Sequence, residues 1–270
     1  MRIAFSSDNH LDINKAAAAD IVPQQAALLR SEHIDYYVNA GDTYNDFGAT
    51  RTYFHQLQAA TGPNTQIRFI AGNHDMLNGV DFATLESLSD PLYLHRRVES
   101  LPGTDAVLIG NNGWYDYSFG PSTLTATDFL HWKRAYWVDG QIEQPLSDAE
   151  RMNLTLQWTE RALQNAAGKR VLYVTHFVPE RSFIAERMQQ DKIGGKVAAM
   201  LGSQRLGELL AKHHVDYVDF GHLHRRDAPS TIHGVHYLHQ PLGYGTKRRH
   251  EWVTTDFMTE WRTTISIIDL

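Results

Sequence analysis

Short apolar runs recur along the chain at Ile3–Phe5, Tyr36–Val38, Ile67–Ile70, Val107–Ile109, Val171–Val174 and Tyr217–Phe220. Each has the length of a buried strand. Between most of them the apolar positions change to helical spacing, and residues 15–30, 51–60, 147–167 and 203–213 are expected to be helices. Pro23 is expected to restart the first of these. In the last, Leu206, Leu209 and Leu210 share a face and Ser203 stands where an N-cap belongs. Alternating strands and helices imply a layered α/β architecture. Residues 111–146 break the pattern: they are rich in aromatics, carry Gly and Pro breaks, and show no clean period. A long irregular stretch inside a domain is usually functional. Two roles are open for it: an excursion that caps or lines a pocket, or a lobe whose Trp114, Trp132 and Trp137 pack on the core.

Five of the runs end in the same way. Ile3–Phe5 leads into Asp8 and His10, Tyr36–Val38 into Asp42, Ile67–Ile70 into Asn73, His74 and Asp75, Val171–Val174 into His176, and Tyr217–Phe220 into His222 and His224. Ligands of α/β sheets bind beyond the carboxyl ends of the strands, so strands of common polarity bring all five ends together. Carboxylate, amide and imidazole donors suit Mn, Fe, Co or Zn, whereas magnesium prefers more oxygen. The set is too large for one ion and sufficient for two that share a carboxylate. Gly41, Gly72 and Gly221 each precede a candidate ligand, where a tight turn or close backbone approach needs glycine.

Composition narrows the possibilities. The 270 residues carry a net charge of -6, which argues against duplex binding by bulk electrostatics. With no cysteine, disulfides, thiolate metal sites and cysteine nucleophiles are excluded. MRIAFSSDNH runs directly into a strand, leaving no room for a secretory leader, and no apolar stretch approaches the roughly 18 residues that span a bilayer. A soluble, cytoplasmic protein is the expectation.

The motifs Asp8-Asn9-His10, Gly41-Asp42, Gly72-Asn73-His74-Asp75, His176 and Gly221-His222-Leu223-His224 resemble, in order, the pattern of the calcineurin-like metallophosphoesterase family. The resemblance implies a four-layer α/β/β/α sandwich, two mixed sheets flanked by helices, with a binuclear metal site at the strand ends. It implies one metallophosphoesterase domain over 1–270, with the aromatic-rich insertion at about 111–146. One metal would take Asp8, His10, Asp42 and His224, and the other Asp42, Asn73, His176 and His222, with Asp42 bridging. His74 would face the leaving group and Asp75 would orient it. Many members carry a further Asn or Asp shortly after the Gly-Asp pair; here Asn45 and Asp46 both remain open for that role.

The expected activity is hydrolysis of a phosphodiester or phosphomonoester by a hydroxide bridging two divalent ions, with His74 as general acid. The expected substrate is a phosphorylated small molecule or nucleotide; nothing marks a membrane or nucleic-acid partner. A catalytically inactive metal-binding scaffold or interaction module is the alternative, against which the complete ligand set stands. A zinc peptidase would need HExxH on a helix, which is absent. His239 and Lys133 are candidates for substrate contact, as are Arg134 and the basic run Lys247-Arg248-Arg249-His250. The tail after the last motif is expected to form strands that close the sheet. His233-Gly234 reads as a hairpin turn.

Overall fold

Each of the six apolar runs forms a strand, and the strands divide between two sheets. The computed structural model describes the backbone of residues 1–270 and every side chain except those of residues 189 and 190. The first half of the chain runs β1 (Arg2–Ser6), α1 (Ala18–Ser31), β2 (Tyr36–Asn39), α2 (Phe47–Thr61), β3 (Gln66–Phe69), α3 (Phe82–Ser87), β4 (Arg97–Ser100), β5 (Ala106–Gly110) and α4 (Ala126–Tyr136). There follow α5 (Asp148–Asn165), β6 (Arg170–Val174), α6 (Glu186–Gln190), α7 (Gly194–Ala199), α8 (Gln204–Lys212) and β7 (Tyr217–Asp219). The chain ends with β8 (Asp227–Ile232), β9 (Val235–His239), α9 (Phe257–Thr264) and β10 (Ser266–Asp269).

The first sheet has the order β10-β1-β2-β3 and the second β4-β5-β6-β7-β9-β8. In the first, β1, β2 and β3 are parallel; in the second, β5, β6, β7 and β9 are parallel. Antiparallel strands β10, β4 and β8 lie at edges, so both sheets are mixed.

Strand alternation builds three interfaces. Ile3, Phe5, Tyr36 and Val38 turn inward to meet Ala106, Leu108, Leu172 and Val174, so the two sheets face each other across an apolar core. The intervening residues Ala4, Tyr37, Val107, Ile109, Val171 and Tyr173 turn outward to the helix layers. Helices α1, α2 and α9 pack together over the first sheet, and α5 pairs with α8 over the second. The result is the expected α/β/β/α sandwich.

Differences from expectation have local causes. Helix α2 begins earlier than expected because Asp46 caps it, accepting the Ala49 N–H at 2.8 Å. Ser203 has the extended backbone of an N-cap, but its hydroxyl bonds Asp116; the Ser118 hydroxyl accepts from Gln204 N instead. Within 111–146, residues 126–136 form α4, started by a Thr125–Asp128 capping box. The tail contains helix α9, capped by Asp256, as well as strands. The hairpin turn at His233-Gly234 forms as expected, both residues at positive φ. Among the described residues no helix is long and apolar enough to cross a membrane.

Candidate metal centre

Common polarity within each sheet puts the carboxyl ends of β1, β2, β3, β6 and β7 on one edge of the sandwich. The loops that leave them are tied to one another: Asp8 N bonds Gly41 O at 2.9 Å, His10 N bonds Asp42 O at 3.0 Å, and Gly221 N bonds His176 O at 3.0 Å. Asp8, His10, Asp42 and His222 all have left-handed φ, at 57°, 41°, 60° and 68°. Such backbone costs about 1–3 kcal/mol per residue and persists where the surroundings over-determine it, typically at functional sites. Gly72 shows why no side chain fits in that turn: a Cβ there would lie 2.1 Å from Asp42 Oδ1 and 2.6 Å from His176 Cε1.

Two groups of donors result, and they share Asp42. In the first, His10 Nε2 and His224 Nε2 are 3.1 Å apart, His224 Nε2 is 3.3 Å from Asp8 Oδ1, and His10 Nε2 is 3.7 Å from Asp42 Oδ2. In the second, His176 Nε2 is 3.3 Å from Asp42 Oδ2 and 3.1 Å from Asn73 Oδ1, which is also 2.9 Å from His222 Nδ1. Nitrogens held by one ion at about 2.0–2.1 Å on neighbouring vertices lie about 3 Å apart, so these spacings fit divalent ions. The free nitrogens of three imidazoles are anchored: His176 Nδ1 on Ala40 O, His222 Nε2 on Met200 O, and His224 Nδ1 on Glu251. That fixes which nitrogen faces the centre. The residues present therefore fit a binuclear site.

The electrostatics of the ion-free arrangement point the same way. Burial alone would raise the Asp8 carboxyl, but the His224 hydrogen bond and charge hold it well below the usual range. Burial opposes the charged form of Asp42 also, and His176 and His74 hold it well below. Burial disfavours His176 and His224 as cations, yet Asp42 raises the first to about 9, and Asp8 with Glu251 raises the second to about 10. Burial and the His176 charge push His222 down to about 3. Two buried carboxylates demand positive charge, and protons supply it where metal ions do not.

His74 stands beside both groups, its backbone N–H donating to Asp42 Oδ1 at 2.8 Å. The expectation that Asp75 orients the His74 ring is corrected. Asp75 accepts N–H bonds from Asp42, Thr43, Tyr44 and Gly72 and the Thr50 hydroxyl, so its buried carboxylate staples the two loops together. Asn45 Oδ1 holds His74 Nδ1 at 2.6 Å; Asp46 is engaged as the helix cap, which decides between the two open candidates.

Of the substrate-contact candidates, His239 and Lys133 are engaged by other side chains of the protein. His239 is 1% exposed, its ring stacked on Phe220 at 4.1 Å and its Nδ1 3.1 Å from Asp227, so it packs under the β7 end. Lys133 Nζ is buried against Asp148 Oδ1 at 2.6 Å, beneath Trp114 and Tyr115, and its charge is neutralised there. It borders a cleft of about 960 Å³ between α4 and the start of α5, together with Arg134, Tyr117 and Phe82. None of the candidate ligands lines that cleft. From the basic run, the Arg249 guanidinium lies 5.7 Å from the Tyr244 ring.

Sequence reasoning missed several groups around the centre. Tyr244 lays its ring 4.6 Å from His10 and 4.5 Å from His224, and its hydroxyl is 3.2 Å from His74 Nε2. Glu251 and Asp139 each bond a candidate ligand. The 111–146 segment packs Trp132 and Trp137 against the core and also touches a candidate ligand. Trp114 is fully buried in the core, while Asp139 reaches Asn73.

The sequence matches the calcineurin-like phosphoesterase family over residues 1–226. A phosphopantetheinyl hydrolase from Mycobacterium tuberculosis has a similar structure, with a TM-score of 0.73 at 15% identity over 98% of this chain and 95% of that one. A dimetal phosphatase from Danio rerio superposes with a TM-score of 0.51 at 16% identity over 88% of this chain and 86% of that one. No curated protein is significantly similar in sequence.

Proposed function

The chain belongs to the calcineurin-like phosphoesterase family, and on that premise we propose that it is a metal-dependent phosphoester hydrolase with a binuclear centre. The observation that carries the reading is the doubled donor set hinged on Asp42, with His74 beside it on an anchor of its own. Asp8, His10, Asp42 and His224 would hold one divalent ion, and Asp42, Asn73, His176 and His222 the other. Mn, Fe, Zn and Co all suit such nitrogen and oxygen donors. When bound, the ions supply Lewis-acid activation of water and neutralise charge on the phosphoryl oxygens.

The remaining work falls to side chains. Hydrolysis breaks the bond between phosphorus and the leaving oxygen and adds water, and the departing alkoxide needs a proton. His74 presents Nε2 for that transfer and regains the proton from water, while Asn45 fixes the ring through Nδ1. Arg249, its guanidinium 5.7 Å from the Tyr244 ring beside the centre, would favour an anionic substrate such as a phosphorylated small molecule or nucleotide.

The test is hydrolysis of bis-p-nitrophenyl phosphate and p-nitrophenyl phosphate with added Mn²⁺, before and after chelation. Turnover that disappears with the chelator and returns with metal supports the reading, and the ratio between the two substrates separates diesterase from monoesterase. A phosphopantetheinyl ester, after the phosphopantetheinyl hydrolase of similar fold, is a third substrate to assay. A folded, metal-loaded chain that turns over none of the three would instead be the inactive scaffold.

A further inference from the structure

Asn73 is the one candidate ligand that offers an amide, and an amide presents either oxygen or NH₂ according to how it is turned. Its Oδ1 faces His176 and His222, while its Nδ2 donates to Asp139 Oδ1 at 2.7 Å. Asp139 is 0% exposed, and its other oxygen accepts the Trp137 indole N–H at 3.1 Å. Both carboxylate oxygens thus face N–H donors. Turning the amide over would set oxygen against oxygen in a buried place and point NH₂ at the ion.

The other half-site has a counterpart. Glu251 Oε2 lies 2.9 Å from His224 Nδ1 and also accepts the Tyr244 N–H at 2.7 Å. The His224 ring is thereby held with Nε2 towards Asp8 and His10. Asp139 lies in a short 3₁₀ turn, Val138–Gln141, and Glu251 in a loop, and neither belongs to the five motifs.

We propose that Asp139 and Glu251 are positioning residues, one for each metal: Asp139 locks the Asn73 oxygen towards the second ion, and Glu251 locks His224 Nε2 towards the first. The inference rests on reading the site as a binuclear centre. It gives the turn Trp137–Asp139 a task, delivering a carboxylate behind Asn73.

The experiment is a titration of the chelator-stripped full chain with Mn²⁺ alone, followed by calorimetry and bound-metal analysis. The native chain should take two ions. Outer partners of metal ligands typically tune affinity by about 10–100-fold. Asp139→Ala should weaken the second ion by about that factor and leave the first within about twofold; Glu251→Ala should do the reverse. That crossed pattern is one that general loosening of the fold does not produce. Should an alanine variant fail to fold, the isosteric Asp139→Asn and Glu251→Gln replace it, with the same half-site weakened to a smaller degree. Variants that bind both ions as the native chain does, or lose both equally, overturn the proposal. A native chain that takes up no Mn²⁺ overturns the metal-centre reading with it. Because occupancy rather than turnover is measured, absence of hydrolysis bears on the proposed function alone.

Discussion

His74 and Asn73 are neighbours in sequence and differ in task, which makes them the sharpest pair to separate. Asn73 points Oδ1 at two imidazoles of the second half-site; His74 points Nε2 outward to the Tyr244 hydroxyl. Asn73→Ala should therefore empty or weaken one metal site. His74→Ala should keep both ions and lower turnover by about 10²–10⁴, the usual contribution of a positioned general acid. Metal content and steady-state rates measured on the same preparations decide it. If both substitutions empty the site equally, the division of labour is wrong. At this scale the sequence was informative where side chains end a buried run: Asp8, His10, Asp42, Asn73, His176, His222 and His224 all converge. It left Asn45 open beside Asp46 and was silent on Asp139 and Glu251, each a lone polar residue in a segment with no period. No spacing along the chain links position 73 to 139 or 224 to 251; only folding does. Asp75 was misread because its neighbour His74 was the obvious partner, while its actual partners are backbone N–H groups that every residue has.

The elements explain how so many polar groups sit at one edge without unfolding it. Gly72 passes within contact distance of Asp42 and His176, so Gly72→Ala forces both ligands aside. We expect lower metal occupancy together with a lower Tm, and an unchanged occupancy would show that the turn yields instead. The segment carrying Tyr244 and Glu251 is held from below by α9. Glu260, buried, accepts Val253 N, Thr254 N and the Thr254 hydroxyl and pairs with Arg226. Burial works against its charge, but these partners outweigh burial and hold its carboxyl below the usual range. A depressed acid stabilises the fold above its unfolded value, near 4.3, and loses that contribution as pH falls through its folded value. Glu260→Gln should thus cost about 1–3 kcal/mol at neutral pH, with the gap to the native chain closing below about pH 4.5. Urea melts at several pH values test this, and a gap that widens in acid contradicts it. Helix α9 itself was missed because the tail was read as closing strands, although Asp256 three residues before Thr259 is a usable cap signal. Helix α4 likewise announced itself only through the Thr125–Asp128 box, since its aromatic residues form no single apolar stripe.

Across the whole molecule, the two sheets are joined mainly by side chains that turn inward, such as Ile3, Phe5 and Val38 against Leu108, Leu172 and Val174. Polar links are sparser: Arg68 on β3 grips Glu99 on β4 at 2.7 and 2.6 Å, and His176 holds Ala40 O at 2.8 Å. The candidate ligands divide along the same line. Asp8, His10, Asp42 and Asn73 follow strands of the first sheet, and His176, His222 and His224 follow strands of the second. Each ion would therefore clamp one sheet to the other, and ligands that bind only the folded state stabilise it by mass action. At about a hundredfold excess over its dissociation constant, one ion adds about 2.7 kcal/mol. For a chain of this size each kcal/mol moves Tm by about 2 °C, so Mn²⁺ should raise Tm by about 5 °C per site filled. The rise should vanish with chelator and be smaller in Asn73→Ala, which retains only the first half-site. A rise of equal size in that variant would place the bound metal elsewhere on the molecule. No rise in the native chain would mean that the sheets close without metal and that the edge holds its shape by protons and hydrogen bonds alone.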